Sequence, residues 1–166
     1  MPAPYRVSFV CTGNICRSPM GDVILRSMLA DVGLTEVVDV DSCGTGEWHV
    51  GQPAQPLALA ALAEAGYDGS PHRARQLDAS FVTERDLLLA LDDGHLRWLR
   101  TLSRKARGTA EVKLLREFDP TAVEEGTLEV DDPYGGTPQD YERARAEIER
   151  ACAGLTRWLA SQLATR

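Results

Sequence analysis

Two cysteines and an arginine lie close together near the start of the chain, in the segment CTGNICRSP at residues 11–19. Cys11 ends an apolar run, and Arg17 follows it after a turn that contains Gly13. We predict that Gly13 permits a sharp turn, and that the backbone N–H groups of the turn and the N-terminus of a following helix bind an oxyanion. The guanidinium of Arg17 presents a planar pair of donors that suits two oxygens of a phosphate group.

The same surroundings favour the reactive form of the Cys11 side chain. Backbone N–H groups, the helix dipole and the charge of Arg17 all stabilise a thiolate, which is the nucleophilic form of cysteine. A thiolate below a bound phosphate monoester attacks phosphorus and forms a phosphocysteine. This chemistry needs an acid for the leaving oxygen, and we predict that Asp132 in the loop segment VDDPYGG supplies it. Ser18 and Asn14 are close enough in sequence to orient the loop and to stabilise the departing thiolate.

The segments around these residues predict strands that alternate with helices. Strands are predicted at residues 5–11, 36–44, 86–92 and 112–118, and helices at residues 18–32, at residues 56–67, through Leu96, Leu99 and Leu102, and from residue 137 onwards. Residues 121–138 are predicted to form a loop. The pattern indicates an α/β fold with a doubly wound, four-stranded parallel sheet, helices on both of its faces and the phosphate-binding loop between the first strand and the first helix.

The composition limits the function and the cellular setting. A formal net charge of -7 disfavours partners such as nucleic acid or an anionic membrane, so a bound anion needs a local site. A length of 166 residues fits one domain over residues 1–166. The N-terminal apolar stretch is too short for a signal peptide, and four cysteines suit a reducing compartment, so we expect a cytoplasmic protein. Nothing in the sequence demands more than a monomer.

The motif CTGNICRSP, with DPY at residues 132–134, resembles the low-molecular-weight protein tyrosine phosphatase family, especially its actinobacterial members. SCGTGEWHVG at residues 42–51 and HRARQL at residues 72–77 also match the family pattern. The resemblance implies hydrolysis of phosphotyrosine in proteins and of small aryl phosphates, without a metal or cofactor. It implies Cys11 as the nucleophile, Arg17 as the phosphate clamp and Asp132 as the general acid and base.

The resemblance also implies roles for residues around the loop. Ser18 would assist the leaving thiolate, and Asn14 would hold the loop through hydrogen bonds with Ser42 and His72. The residues between the nucleophile and the clamp would surround the phosphate: Thr12, Gly13, Asn14, Ile15 and Cys16.

Other implied roles concern selectivity and redox state. Trp48 and Tyr134 match the aromatic walls that hold a phosphorylated ring. Cys16 matches the partner that forms a reversible disulfide with the nucleophile on oxidation. In this family a bulky residue such as Ile15 accompanies phosphotyrosine activity, whereas threonine marks the arginine phosphatases. Gly135 stands where many relatives have a second tyrosine. The glycine leaves one wall of the cleft more open, and it has no hydroxyl group through which phosphorylation could regulate the protein at that position.

Two alternative functions remain open at the level of sequence. Arsenate reduction on the same loop needs an additional pair of mobile cysteines, and Cys43 and Cys152 are not spaced like one. A phosphate-binding module without turnover is the second alternative. A zinc site at Cys11 and Cys16 is disfavoured, because closed zinc sites need four ligands and the neighbouring arginine opposes a cation.

Several other side chains receive a structural interpretation. Asp92 is predicted mainly to cap a helix, although it lies near the predicted site. Core positions are predicted for Cys43, Cys152, Trp98 and Trp158, and no role is assigned to His49 or His95.

Overall fold

A parallel sheet forms the centre of the computed structural model, which describes residues 2–165. Its strands are β1 (Tyr5–Cys11), β2 (Val38–Gly44), β3 (Leu87–Ala90) and β4 (Glu111–Leu114), in the spatial order β2-β1-β3-β4. The helices are α1 (Arg17–Asp31), α2 (Pro56–Glu64), α3 (Ala79–Glu84), α4 (Asp93–Ala106), α5 (Pro120–Glu125) and α6 (Pro138–Leu163), with a 3-10 turn at Leu115–Phe118. All strand pairs are parallel, which confirms the predicted α/β class.

β1 is flanked by a strand on each side, because it pairs with both β2 and β3. Its residues from Val7 to Cys11 are buried, which explains the continuous apolar run in the sequence. The register places Cys11 beside Gly44, so the ends of β1 and β2 meet at one edge of the sheet. The loop that leads into α1 begins there, at the C-terminal ends of the two strands.

Buried side chains lie on both faces of the sheet. On one face Phe9 packs in a cluster with α1, α2 and α6, and on the other Val10 packs in a cluster with α3 and α4. Cys152 belongs to the first cluster and Cys43 to the second, both fully buried, which confirms the prediction of core packing. Helices therefore cover both faces, as the sequence predicted.

Several boundaries and one side chain differ from the sequence prediction. The first helix begins at Arg17, one residue before its predicted start at Ser18. The segment 112–118 is a strand only to residue 114 and then becomes the 3-10 turn, while α3 and α5 were not predicted. The prediction that Trp98 is a core residue is wrong. The inner face of α4 carries Leu96 and Leu99, so Trp98 lies on the outer face with 56% of its surface exposed.

The long helix α6 continues through Gly154 because of a close approach by another part of the chain. A Cβ atom at this position would lie 1.8 Å from the carbonyl oxygen of Phe118. Glycine therefore permits the 3-10 turn to contact the helix, at the usual cost in helix propensity. Trp158 packs nearby, with its ring centroid 5.3 Å from that of Phe118. Among the described residues, no helix is long and apolar enough to cross a membrane.

Candidate active site

The loop between β1 and α1 contains one residue with a left-handed backbone conformation. That residue is Asn14, with φ of 58°, and not Gly13, which the sequence had suggested as the residue permitting the turn. Asparagine adopts this conformation more readily than most residues. Gly13 instead allows a close approach of the His49 ring: a Cβ atom there would lie 2.9 Å from Cδ2 of His49, so the histidine side chain would have to shift. The loop passes directly beneath the His49 ring.

Asn14 satisfies its side chain and its carbonyl group with four partners. Its Nδ2 donates to Oγ of Ser18 at 2.7 Å and to Oγ of Ser42 at 2.9 Å. Its Oδ1 accepts from the backbone N–H of Arg75 at 2.9 Å, and its carbonyl oxygen accepts from Nε2 of His72 at 2.6 Å. Burial lowers the pKa of His72, although its hydrogen bond to the Asn14 carbonyl opposes the change. These bonds offset the strain of a left-handed residue.

The hydroxyl group of Ser18 lies 2.9 Å from Sγ of Cys11, which is itself buried. Because Oγ of Ser18 accepts from Nδ2 of Asn14, its own hydrogen is available to donate to the sulfur. A hydroxyl donor at this position stabilises negative charge on Sγ.

The backbone of the loop offers unused donors. Within residues 2–165, the N–H groups of residues 12–16 form no hydrogen bond to a protein acceptor, although Asn14, Ile15 and Cys16 are buried. Buried N–H groups are almost always paired in folded proteins, so an unpaired run of them indicates a binding site for an anion.

Arg17 is buried, and its guanidinium contacts the loop that contains Asp132. Nη1 donates to Oδ2 of Asp92 at 2.9 Å and to the carbonyl oxygen of Val130 at 2.8 Å. Nη2 lies 3.7 Å from Oδ2 of Asp132. Burial alone would raise the pKa of Asp92, but the backbone N–H of His95 and the charge of Arg17 outweigh it, so this pKa is lowered. The guanidinium is therefore fixed at one end by a carboxylate.

Asp92 and His95 were not assigned to the site from the sequence, and the structure places both of them there. Asp92 is the N-cap of α4, as predicted, and its Oδ1 accepts from the backbone N–H of His95 at 3.0 Å. Nε2 of His95 lies 2.9 Å from Oγ1 of Thr12, in the loop. Burial lowers the pKa of His95 to about 4, and Arg17 adds to this effect while Asp92 opposes it. The side chain is therefore neutral at pH 7.

A cavity of about 150 Å³ opens above the loop. Trp48 and Tyr134 form exposed walls, with 70% and 58% of their surfaces accessible, so Trp48 is not a core residue. The backbone N–H of Tyr134 donates to Oδ1 of Asp132 at 3.1 Å, which links the carboxylate to one wall. The cavity is lined by Cys11, Thr12, Gly13, Ile15, Cys16, Arg17, Trp48, His49, Asp132 and Tyr134.

Cys16 lies at the end of the loop and is buried. Its sulfur lies 3.5 Å from the hydroxyl oxygen of Tyr141 on α6. Burial raises the pKa of the Cys16 thiol to about 12, although the hydrogen bond with Tyr141 acts in the opposite direction. Cys16 is therefore a thiol at neutral pH.

Comparison with known proteins gives the family. Residues 6–165 match the family model described as low molecular weight phosphotyrosine protein phosphatase. The chain belongs to this family. A low molecular weight protein-tyrosine-phosphatase of Streptomyces coelicolor is 50% identical over 151 residues, which are 91% of this chain and 91% of the relative. The resemblance to the family and to its actinobacterial members is thus confirmed.

Two solved structures of the family show the same fold. YfkJ from Bacillus subtilis superposes with a TM-score of 0.88 at 28% identity, over 97% of this chain and 98% of YfkJ. A Drosophila arginine phosphatase superposes with a TM-score of 0.85 at 26% identity, over 92% of this chain and 96% of the arginine phosphatase chain. The fold prediction is confirmed, and the likeness to an arginine phosphatase means that the fold alone does not select the substrate.

The structure brings together nearly all the residues that the sequence selected. Asn14, Ser42 and His72 form the hydrogen-bond network that holds the loop, Ser18 contacts Cys11, and the remaining candidates line the cavity. His49 and Arg75 received no role although they lie within the quoted segments at residues 42–51 and 72–77. Asp92 and His95 lie outside every quoted motif, and only the folded chain brings them to the loop. Among residues 2–165, no group of three or more potential ligands could hold a metal ion.

Proposed function

We propose that this chain hydrolyses phosphotyrosine in proteins, and small aryl phosphates, through a phosphocysteine intermediate. The observation that carries this proposal is that Cys11, Arg17 and Asp132 line one cavity walled by Trp48 and Tyr134. A nucleophile, a cation for the phosphate, a carboxylate for the leaving oxygen and two aromatic walls for a ring are the parts that the reaction needs.

In the first step, the phosphate oxygens are held by the free N–H groups of residues 12–16 and by the guanidinium of Arg17. The sulfur of Cys11 attacks phosphorus and forms an S–P bond, while the bond between phosphorus and the tyrosine oxygen breaks. Asp132 gives its proton to that oxygen, so that tyrosine leaves as a neutral phenol.

In the second step, water replaces tyrosine in the cavity. Asp132, now a carboxylate, takes a proton from the water as its oxygen attacks phosphorus. The S–P bond breaks, phosphate is released and the sulfur of Cys11 leaves as a thiolate. The hydroxyl of Ser18, 2.9 Å from Sγ, donates to this developing charge.

The identity of the substrate rests on the cavity walls. Ile15 lines the cavity with an apolar side chain, which suits the flat face of a phenyl ring better than a guanidinium. Trp48 and Tyr134 add aromatic surface on the rim. We therefore propose phosphotyrosine, and not phosphoarginine, as the substrate.

Arsenate reduction is the main alternative activity, and the cysteine positions do not support it. A relay would have to bring a second and a third thiol to the nucleophile. Cys43 and Cys152 are fully buried on opposite faces of the sheet, and burial raises the pKa of both thiols.

We also propose that residues 1–166 form one domain that acts as a cytoplasmic monomer and needs no metal or cofactor.

A comparison of three phosphopeptides tests the proposal. Peptides of one sequence that carry phosphotyrosine, phosphoserine or phosphoarginine are assayed for phosphate release, with Cys11→Ser as the control. We expect turnover of the phosphotyrosine peptide only, and a Cys11→Ser protein that binds it without turnover. Preferred hydrolysis of phosphoarginine, or steady arsenate reduction with thioredoxin, would overturn the proposal. Binding without turnover by the unaltered protein would favour a binding module.

A further inference from the structure

The side chain of His95 contacts two different parts of the proposed site. Its Nε2 lies 2.9 Å from Oγ1 of Thr12, a residue 83 positions earlier in the chain. Its Nδ1 lies 3.3 Å from Oδ1 of Asp92, although this contact lacks the geometry of a hydrogen bond. The imidazole is buried between the loop and α4.

Asp92 carries this contact onwards to Arg17. Its Oδ1 faces His95, and its Oδ2 accepts from Nη1 of Arg17 at 2.9 Å. Thr12, His95, Asp92 and Arg17 thus form one continuous chain of polar contacts. One end of it lies in the loop that offers N–H groups, and the other is the guanidinium.

We propose that His95 is a positioning residue that fixes the loop and Arg17 relative to each other, so that both contact the same phosphate. This inference rests on the proposed function, because it describes how the same site holds its substrate. An apolar residue would fill the same space between α4 and the loop, but it would leave the Thr12 hydroxyl and the Asp92 carboxylate without a common partner.

The neighbouring carboxylate also determines which nitrogen of His95 carries the proton. A lone pair on Nδ1 would face the negative charge of Asp92 at 3.3 Å and be repelled by it. The proton therefore resides on Nδ1, and Nε2 accepts a hydrogen bond from the hydroxyl of Thr12. This tautomer orients the Thr12 side chain towards α4.

Substitutions at both ends of the contact test the proposal. His95→Phe keeps a ring but removes both nitrogens, Thr12→Val removes only the hydroxyl, and His95→Gln restores a polar atom near the position of Nε2. We expect the first two variants to weaken inhibition by inorganic phosphate and to lower kcat/KM for an aryl phosphate about tenfold, and the double variant to be no worse than either. His95→Gln should recover part of the loss.

A matched control comes from the same helix. Thr101→Val also removes a threonine hydroxyl, but on the exposed surface of α4, and should behave like the unaltered protein. If His95→Phe and Thr12→Val lower the melting temperature but leave phosphate affinity and kcat/KM unchanged, His95 only fills space and the proposal fails. Additive effects in the double variant would also contradict it.

Two measurements keep the inference testable if a variant does not fold or if the unaltered protein shows no turnover. Nitrogen NMR of the unaltered protein should show the Nδ1–H tautomer for His95, and an Nε2–H tautomer would overturn the assignment. Phosphate binding to Cys11→Ser, with and without Thr12→Val, measures positioning without catalysis. Suppose that the unaltered protein does not hydrolyse aryl phosphates, but that adding Thr12→Val to Cys11→Ser weakens phosphate binding tenfold. That result would reject the proposed function and retain the role of His95.

Discussion

Oδ2 of Asp132 lies 3.7 Å from Nη2 of Arg17, whose other terminal nitrogen is bound to Asp92. The guanidinium therefore joins a buried part of the site to an exposed loop, because the side chain of Arg17 is buried while about half of the Asp132 side chain is accessible. A carboxylate in this position can reach the leaving oxygen of a substrate whose phosphate is held by Arg17.

Asp132→Asn should lower kcat for poor leaving groups by about 100-fold or more, because the amide cannot protonate the departing oxygen. The loss should be much smaller for an activated substrate such as a nitrophenyl phosphate. The dependence of kcat on the acidity of the leaving phenol measures this. Asp131→Asn is the matched control: Asp131 pairs with Arg143 on the surface and should tolerate the change. Equal losses on good and poor leaving groups would contradict the assignment.

Oxidation by hydrogen peroxide should inactivate the enzyme reversibly. The peroxide converts the Cys11 thiolate to a sulfenic acid, and the Cys16 thiol then displaces water to form a disulfide. The raised pKa of Cys16 keeps that side chain protonated, so peroxide oxidises Cys11 before Cys16. Activity should return with dithiothreitol. Cys16→Ser should retain turnover but lose this recovery, and equal recovery in the two proteins would rule out Cys16 as the resolving thiol.

Asn14 should be more costly to replace with alanine than with glycine. Both substitutions remove the side-chain hydrogen bonds to Ser18, Ser42 and Arg75, with a cost of about 2 kcal/mol in the free energy of unfolding. Alanine also pays about 1 kcal/mol for the left-handed conformation, which glycine adopts freely. Urea unfolding measures both changes. The same stability for the two variants would mean that the loop relaxes out of this conformation.

His95 should make the fold sensitive to acid. Its pKa falls from 6.5 in the unfolded chain to about 4 in the fold, so the unfolded state binds the proton first. The stabilisation is fully present above pH 6.5, decreases as the pH falls and is lost below about pH 4. Unfolding in urea at pH 7 and pH 5 should differ by about 2 kcal/mol from this group alone.

His95→Gln provides the comparison for that measurement. It should show a smaller loss of stability between pH 7 and pH 5, since glutamine does not titrate. Asp92, Arg17 and Asp132 are the charged groups that act on the imidazole, and none of them is altered in this variant. An unchanged difference between the two pH values would show that His95 takes up its proton in the fold as readily as in the unfolded chain.

The elements that carry the loop could be predicted because their sequence signals are local. The bounds of β1 are those expected from its apolar run, and the loop motif leads directly into α1. The short helices α3 and α5 were missed because each is only six residues long and has no clear apolar period. Trp98 was misplaced because it is adjacent to Leu99 in the sequence but points away from it around the helix.

The residues that support the site were harder to predict. Cys11, Arg17 and Ser18 belong to one short motif, and the spacing of that motif is sufficient to bring them together. Asp92 and His95 depend on the pairing of β3 with β1, which directs the N-terminus of α4 to the loop. A histidine with no motif around it gives no sign of this long-range contact.

The base of the cavity is held rigidly while its rim is exposed, and this difference affects how new substrates could be acquired. Asn14, Ser18 and Arg17 are buried and held by hydrogen bonds to other side chains, whereas Trp48 and Tyr134 extend from the surface into solvent. Sequence drift or directed evolution at the aromatic rim can therefore alter which phosphorylated molecule enters, while the reaction below it continues unchanged. Divergence in this protein should be concentrated in two exposed side chains.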